Sequence, residues 1–372
     1  MPCRLLVILG AGASYDCASG NVPDRHDDYR PPLVTQLFEA RPTFTRILHQ
    51  YPLAEQAAAD IRPALSRGSV AIEAFLKDRL RDSGYEHDRR QYWAIPLYLQ
   101  HLLFEISMWD YDSGRGFTAQ PDSYDRLVNA ALRVDEVTFV TLNYDDLFDR
   151  RLFIHGALES MESYLAHGQK WALIKLHGSI NWGRIVLNAP PQIAPTDPVL
   201  AQTFANLGEN IEVDDNISLR LQPDIRQVRF DEEPFRLYYP ALAAPLGTED
   251  ELVCSDQHVK YLTEITGHYD PLDVLVIGYS GLDQEALNLM SWGGRSIRSL
   301  LVVSESDESA QATADRITAG LNVVPAEGQN AVTLIGTGFT NFAHGRDLDD
   351  YVERLKAVAA SEDKRRSALG YG

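Results

Sequence analysis

Two polar residues able to take part in bond-breaking chemistry stand where apolar runs end. Asn143 follows the run 137–142, and His177 follows the run 171–176. Imidazole titrates near neutral pH and can accept a proton from a hydroxyl. An amide has no useful titration, but it can orient a water molecule or hold a ribose hydroxyl. The two residue types together indicate chemistry at a hydroxyl or at water.

A glycine-containing loop follows a third apolar run. Leu5–Leu9 is followed by Gly10-Ala11-Gly12-Ala13-Ser14. Glycines at the end of a strand let the backbone approach a diphosphate with its N–H groups pointing at the ligand. The third glycine of the dinucleotide fingerprint is replaced by Tyr15, so a tight turn without a ligand stays an alternative.

The polar residues also have purely structural interpretations. Asn143 could cap a helix that starts near Tyr144, because Asn is a favoured N-cap residue. Asp145 could serve as a first-turn carboxylate matched to the helix dipole. His177 could be a structural histidine at a strand end. Other histidines, His258 among them, have weaker contexts, and we expect them on the surface or in loops.

Apolar runs alternate with helical segments along the chain. This pattern predicts an α/β fold: a Rossmann-like, doubly wound parallel sheet with a helical insertion and a second, loop-rich insertion. Ligands of such sheets bind in the crevice outside the carboxyl ends of the strands. Six predicted strands are Leu5–Leu9, Val137–Leu142, Trp171–Leu176, Val274–Ile277, Leu300–Val303 and Val332–Ile335, and residues 236–243 could form another.

The spacing of these segments predicts the organisation of the chain. Helical periodicity between Ile72 and Leu80, and again between Ile95 and Ile106, indicates the helical insertion, with Pro96 in a first turn. A last helix is expected over 349–360, with a frayed, charged tail after Ser361. The predicted divisions are a Rossmann-like core of 1–35, 134–182 and 236–345, a helical insertion of 36–133, a loop-rich insertion of 183–235, and a C-terminal helix and tail of 346–372.

Composition restricts the class of protein. The 372 residues are 45% hydrophobic and carry a formal charge of −19 without any basic block, which disfavours direct binding of nucleic acid. The cysteines, Cys3, Cys17 and Cys254, form no C-x-x-C pair, so neither a zinc site nor a disulfide framework is expected. The absence of a signal-peptide pattern and of a long apolar stretch leads us to expect a cytoplasmic protein without a membrane span.

Taken in order, the motifs resemble the sirtuin catalytic core in the form found in bacterial antiphage NADases. Residues 10–14 resemble the GAG-x-S loop, and residues 20–25 resemble G-x-P-D-F-R. Residues 141–145 resemble T-x-N-x-D, residues 176–179 the H-G motif, and residues 278–280 the G-x-S loop. The four-cysteine zinc module of sirtuin deacylases has no counterpart in this chain.

The resemblance implies an NAD glycohydrolase that cleaves NAD, its substrate, to nicotinamide and ADP-ribose without a metal. It implies Asn143 and His177 as the catalytic residues. An NAD-dependent protein deacylase and a non-catalytic sensor of NAD or ADP-ribose stay open as alternatives. The residues that it implies in NAD binding are Gly10, Ala11, Gly12, Ala13, Ser14, Asp24, Asp145, Gly278, Ser280, Ser304 and Glu305.

The resemblance also implies how such an activity is controlled. Depletion of NAD is toxic, so the enzyme must be silent until it is triggered. We expect a homo-oligomer that works with a separately encoded partner, such as a HerA-type ATPase or a short Argonaute. The acidic composition fits a protein partner better than nucleic acid.

Overall fold

Six short apolar segments form one parallel sheet in the computed structural model. The six strands predicted for this sheet are each confirmed within one residue at either end. The strands are β1 (Arg4–Leu9), β2 (Glu136–Thr141), β3 (Trp171–Lys175), β7 (Asp273–Ile277), β9 (Ser299–Val303) and β11 (Val332–Ile335). The structure describes residues 2–17, 28–65, 78–79, 86–112, 122–156, 158, 160–165, 170–188, 212–219, 238–243, 253–267, 272–290, 296–319, 322–325 and 330–368.

The strand order creates a switch point at the first strand. The sheet runs β11-β9-β7-β1-β2-β3, so the first three of these strands extend to one side and the last three to the other. All neighbouring pairs are parallel. This is the order of doubly wound dinucleotide-binding folds, and it confirms the predicted α/β class. The crevice between the carboxyl ends of β1 and β7 is therefore the expected place for a ligand.

Helices cover both faces of the sheet because side chains alternate along each buried strand. Leu5, Val7 and Leu9 of β1 point into one apolar core, and Leu6 and Ile8 point into the other. The first core is shared with α1 (Ala11–Cys17), α2 (Pro42–Leu48), α3 (Pro52–Leu65), α4 (Glu86–Asp112), α5 (Asp122–Ala131), α6 (Leu147–Phe153), α10 (Phe339–His344) and α11 (Asp347–Ala368). The second is shared with α7 (Asp256–Gly267), α8 (Gln284–Leu289) and α9 (Asp307–Thr318).

The expected helical insertion contains α2 to α5. Pro96 lies inside the 27-residue helix α4, so its prediction as a first-turn residue is wrong. An interior proline costs roughly 3 kcal/mol, and burial of the neighbouring Ile95, Leu99 and Leu102 offsets that cost. Most of the periodic segment from Ile72 to Leu80 lies outside the described residues.

A small antiparallel sheet follows the parallel one. It has the order β5-β4-β6, formed by β4 (Gly178–Val186), β5 (Val213–Leu219) and β6 (Tyr238–Leu242). The expected loop-rich range 183–235 thus contains a strand, and the expected core range 236–345 contains one strand of this second sheet. A further short pair joins β8 (Ser296–Ile297) and β10 (Asn322–Val323).

The C-terminal helix is longer than its sequence predicts. Helix α11 continues to Ala368, so the expected fraying after Ser361 is wrong. The guanidinium of buried Arg298 bonds Glu362 at 2.7 Å and also Asp273, which ties the late turns of the helix to the sheet. In the described part of the chain, no helix combines the length and the apolar character needed to cross a membrane.

Candidate functional site

The loops after β1 and β7 pack backbone against backbone at the switch point. The Gly10 N–H donates to the Ile277 carbonyl at 3.0 Å, and the Gly12 N–H donates to the Gly278 carbonyl at 2.9 Å. Gly278 has a φ of +60°, and a Cβ there would lie 2.2 Å from the Ala13 nitrogen. Glycine is therefore required by this contact whether or not a ligand binds.

The same contact uses N–H groups that the sequence suggested for a diphosphate. The N–H groups of Gly10, Gly12 and Ala13 all donate to carbonyls of the protein itself. That of Ala13 donates to the Gly10 carbonyl at 2.9 Å. In the first turn of α1, the N–H of Ala11 is the donor with no acceptor among the described residues. A diphosphate here would find fewer backbone donors than the motif implies.

Asn143 lies in the turn after β2 and faces the glycine loop. Its Nδ2 donates to the Gly10 carbonyl at 3.1 Å and to Ser14 Oγ at 3.0 Å. Its Oδ1 is buried and has no hydrogen-bond partner among the described residues. Helix α6 begins at Leu147 after the N-cap position Asp146, so the alternative interpretation of Asn143 as a helix cap is wrong.

Ser14 supports this amide. The serine is 1% exposed, and its hydroxyl bonds Tyr124 Oη at 2.8 Å as well as Asn143. Tyr124 comes from α5, within the predicted helical insertion. The Ser14 hydroxyl is therefore engaged in holding Asn143, where the sequence suggested a diphosphate contact.

His177 lies in the turn between β3 and β4 and is bonded to a carboxylate. Its Nε2 lies 2.6 Å from Oδ2 of Asp283, and the imidazole is only 7% exposed. Burial raises the pKa of Asp283, but the hydrogen bond and charge of His177 and the backbone N–H groups of α8 outweigh burial and hold that pKa below its usual value. Asp283 was missed in the sequence, where it looks like an ordinary N-cap residue.

A closed series of contacts runs around the switch point. The Tyr144 ring lies 6.1 Å from the His177 ring, centroid to centroid, and Tyr279 Oη donates to the Asp283 carbonyl at 3.2 Å. The backbone of Tyr279 in turn lies against Gly10, whose added Cβ would be 2.5 Å from the Tyr279 Cα. The circuit joins Gly10, Asn143, Tyr144, His177, Asp283 and Tyr279.

A buried ion pair holds the turn that carries Asn143. Lys175, the last residue of β3, is 0% exposed and donates to the Asp145 carbonyl at 2.6 Å and to Asp149 Oδ2 at 2.8 Å. The Asp145 side chain accepts the Leu147 N–H at 3.1 Å. Burial raises the pKa of Asp145, and the charge of Lys175 opposes that rise. These bonds fix the path of the backbone between β2 and α6.

The remaining predicted residues lie along the same sheet edge. Ser280 is exposed, and its carbonyl accepts a hydrogen bond from Arg316 at 2.6 Å. Ser304 is partly buried at the end of β9, and the adjacent Glu305 is exposed. Within the described part of the chain, no hydrogen bond joins these three residues to Asn143 or His177. Asp24 lies outside the described residues.

Comparisons with known proteins add little to this geometry. No protein-family model matches the chain, and no curated protein matches it. Among solved structures, it is similar to one described as "Structural Basis for the Mechanism and Regulation of Sir2 Enzymes", with 13% identity and a TM-score of 0.35 over 96% of this chain and 94% of that chain. Because the identity and the TM-score are this low, the fold is assigned from the strand order. That order makes this chain a doubly wound, Rossmann-like α/β protein.

Proposed function

We propose that this protein hydrolyses the N-glycosidic bond of NAD and releases nicotinamide and ADP-ribose. One observation carries the proposal: Asn143, His177 and the glycine loop belong to a single contact circuit at the switch point of a dinucleotide-type sheet. The order of the sirtuin-like motifs supports NAD as the dinucleotide. The circuit also brings together the residue types that such a hydrolysis requires.

This hydrolysis does not require a strong general acid. Nicotinamide is cationic in NAD. When the C–N bond breaks, nicotinamide takes the bonding electron pair and leaves as a neutral molecule. The sugar passes through an oxocarbenium-like transition state, as in glycoside cleavage. Water then adds to the anomeric carbon, and one proton must be removed.

The residues at the site match these needs. Oδ1 of Asn143 is a buried acceptor without a partner among the described residues, and leaving such an atom unpaired costs roughly 1–3 kcal/mol. A ribose hydroxyl or a water molecule would satisfy it. His177, with its ring fixed by Asp283, is suited to accept the proton from water or from a ribose hydroxyl.

The primary experiment incubates the purified protein with NAD alone and measures nicotinamide and ADP-ribose. We expect Asn143→Ala and His177→Ala to lower the rate by ~10²–10⁴, the range for loss of one such group. Asn341→Ala is a matched control because Asn341 is exposed and donates to a backbone carbonyl, that of Thr337, at 2.7 Å. Near-normal turnover in both site variants would overturn the proposal.

The same assay separates the alternatives. A deacylase would consume NAD only when an acyl-peptide is present, whereas a sensor would bind NAD without turnover.

We further propose that activity depends on assembly, as a homo-oligomer or with a HerA-type ATPase or a short Argonaute, in antiphage defence. Mass measurement of the active species tests assembly, and an active strict monomer would contradict it.

A further inference from the structure

We propose that Asp283 is a positioning residue that fixes the orientation and the proton affinity of His177. The inference rests on the proposed function for its role in catalysis. It rests on geometry alone for its effect on the imidazole. Nothing in the motif resemblance points to this residue, because the G-x-S motif ends at Ser280.

The carboxylate is held from both of its oxygens. Oδ2 contacts His177 Nε2 at 2.6 Å, while Oδ1 accepts the Ala286 N–H at 2.9 Å at the start of α8. The carbonyl oxygen of Asp283 also accepts the Tyr279 hydroxyl. A carboxylate anchored in this way cannot rotate freely, so it defines one position for the imidazole ring.

The charge of Asp283 acts in the same direction. Its side chain is 15% exposed and that of His177 is 7% exposed, so little water screens the pair. An ionised carboxylate at this distance stabilises the imidazolium that forms when His177 accepts a proton. Substitution of the carboxylate should therefore make His177 a weaker base and leave its ring less well oriented.

The competing interpretation is that Asp283 serves only as the N-cap of α8. The Asp283→Asn variant separates the two roles, because Asn is as good an N-cap as Asp but has no charge. Asp283→Ser provides a second neutral cap in case the Asn variant folds poorly. Asp135→Asn is the matched control: Asp135 is exposed, accepts the Cys3 N–H at 2.7 Å, and lies at the opposite, amino edge of the sheet.

The experiment follows the imidazole of His177 by NMR titration, with His177→Ala used for assignment, in the wild type and each variant. We expect Asp283→Asn and Asp283→Ser to lower the proton affinity of His177 about tenfold or more. We also expect kcat for NAD to fall about 10–10³-fold with a smaller change in KM, and Asp135→Asn to match the wild type.

Each outcome decides one question. An unchanged His177 titration in a folded Asp283 variant overturns the positioning role, even if activity falls, because the carboxylate would then have no effect on the proton affinity of the imidazole. A shifted titration with wild-type kcat and KM also overturns it, since the imidazole would not need this partner. If the wild type releases no nicotinamide either alone or assembled with its partner, the NAD hydrolase proposal fails, and the titration alone decides whether Asp283 controls His177.

Discussion

The side-chain amide of Asn143 donates to the backbone carbonyl of Gly10 at 3.1 Å and thereby joins the turn after β2 to the loop after β1. The two residues are 133 positions apart in the sequence. This bond and the one to Ser14 engage the amide nitrogen within the protein, and the amide oxygen has no hydrogen-bond partner among the described residues. The orientation of the amide is thus set by contacts within the protein.

Replacement of this amide by a carboxylate should damage both stability and activity. In Asn143→Asp, the donors to Gly10 and Ser14 are lost, and carboxylate oxygens face the Gly10 carbonyl. We expect a loss of ~1–3 kcal/mol in the free energy of unfolding and a fall of ~10² or more in nicotinamide release. Urea denaturation and the NAD assay measure the two effects. Asn341→Asp is the control, and an equal loss of activity there would contradict the argument.

Because the loops after β1 and β7 pack closely, alanine should be more costly at Gly278 than at Gly281. Gly278 and Gly281 have φ values of +60° and +70°, so alanine is strained at either position by roughly 1–2 kcal/mol. A Cβ at Gly278 would also meet the Ala13 nitrogen at 2.2 Å, whereas the nearest atom to one at Gly281 is the Arg316 Cβ at 3.3 Å. We expect Gly278→Ala to cost a further ~1–3 kcal/mol in urea denaturation. Equal costs at both positions would show that the loops can move apart.

The buried pair of Lys175 and Asp149 should be costly to break singly. Lys175→Met leaves the Asp149 carboxylate buried without its cation, so we expect a loss of ~3–5 kcal/mol in stability. The double variant Lys175→Met with Asp149→Leu removes both charges and should recover much of that loss. The double-mutant cycle is measured by denaturant unfolding. Simple additivity of the two single losses would contradict a coupled pair.

The pH dependence of stability should contain a contribution from His258. This residue was expected at the surface or in a loop, but it lies in helix α7 and is fully buried against Trp182 and Tyr164, and burial lowers its pKa from 6.5 to about 4. In the unfolded chain, His258 binds a proton with a pKa of about 6.5, whereas in the folded chain it stays neutral until the pH approaches 4. The stabilisation is therefore complete above pH 6.5 and is lost as the pH falls toward 4, by up to roughly 3 kcal/mol.

Urea denaturation between pH 4.5 and 8 tests this contribution. We expect His258→Gln to flatten the acid side of the stability profile. The control is His49→Gln, because the His49 side chain is 61% exposed. A wild-type acid slope in the His258 variant would assign the slope to other groups.

The strands were predictable from the sequence because their signals are local. Runs such as Leu5–Leu9 and Val274–Ile277 are apolar and end at glycine, which identifies buried parallel strands. Strand β5 was missed because it carries Asp214, Asp215 and Asn216 and has no fully buried residue, so no apolar run marks it. The start of α6 was displaced because Asp145 and Asp146 lie two and three residues after Asn143, and Asp is as good a cap residue as Asn.

The supporting partners of the site were not predictable from the same signals. Tyr124 lies 110 residues from Ser14, and Asp283 lies 106 residues from His177. A buried tyrosine on an amphipathic helix has the sequence signature of a core residue, and an aspartate before a short helix has the signature of a cap. Only the packing of the chain shows which polar atom each of them meets. The roles of the predicted site residues themselves stay predictions until the assays above are made.

The hydroxyl of Tyr124 has a consequence for how this chain can be divided or redesigned. A protein without the helical insertion 36–133 would retain every motif named in the sequence analysis, yet it would lose the phenol that holds Ser14 and, through it, the Asn143 amide. Helix α5 is thus a structural component of the site. Grafting these motifs onto another scaffold would require a replacement for that distant brace.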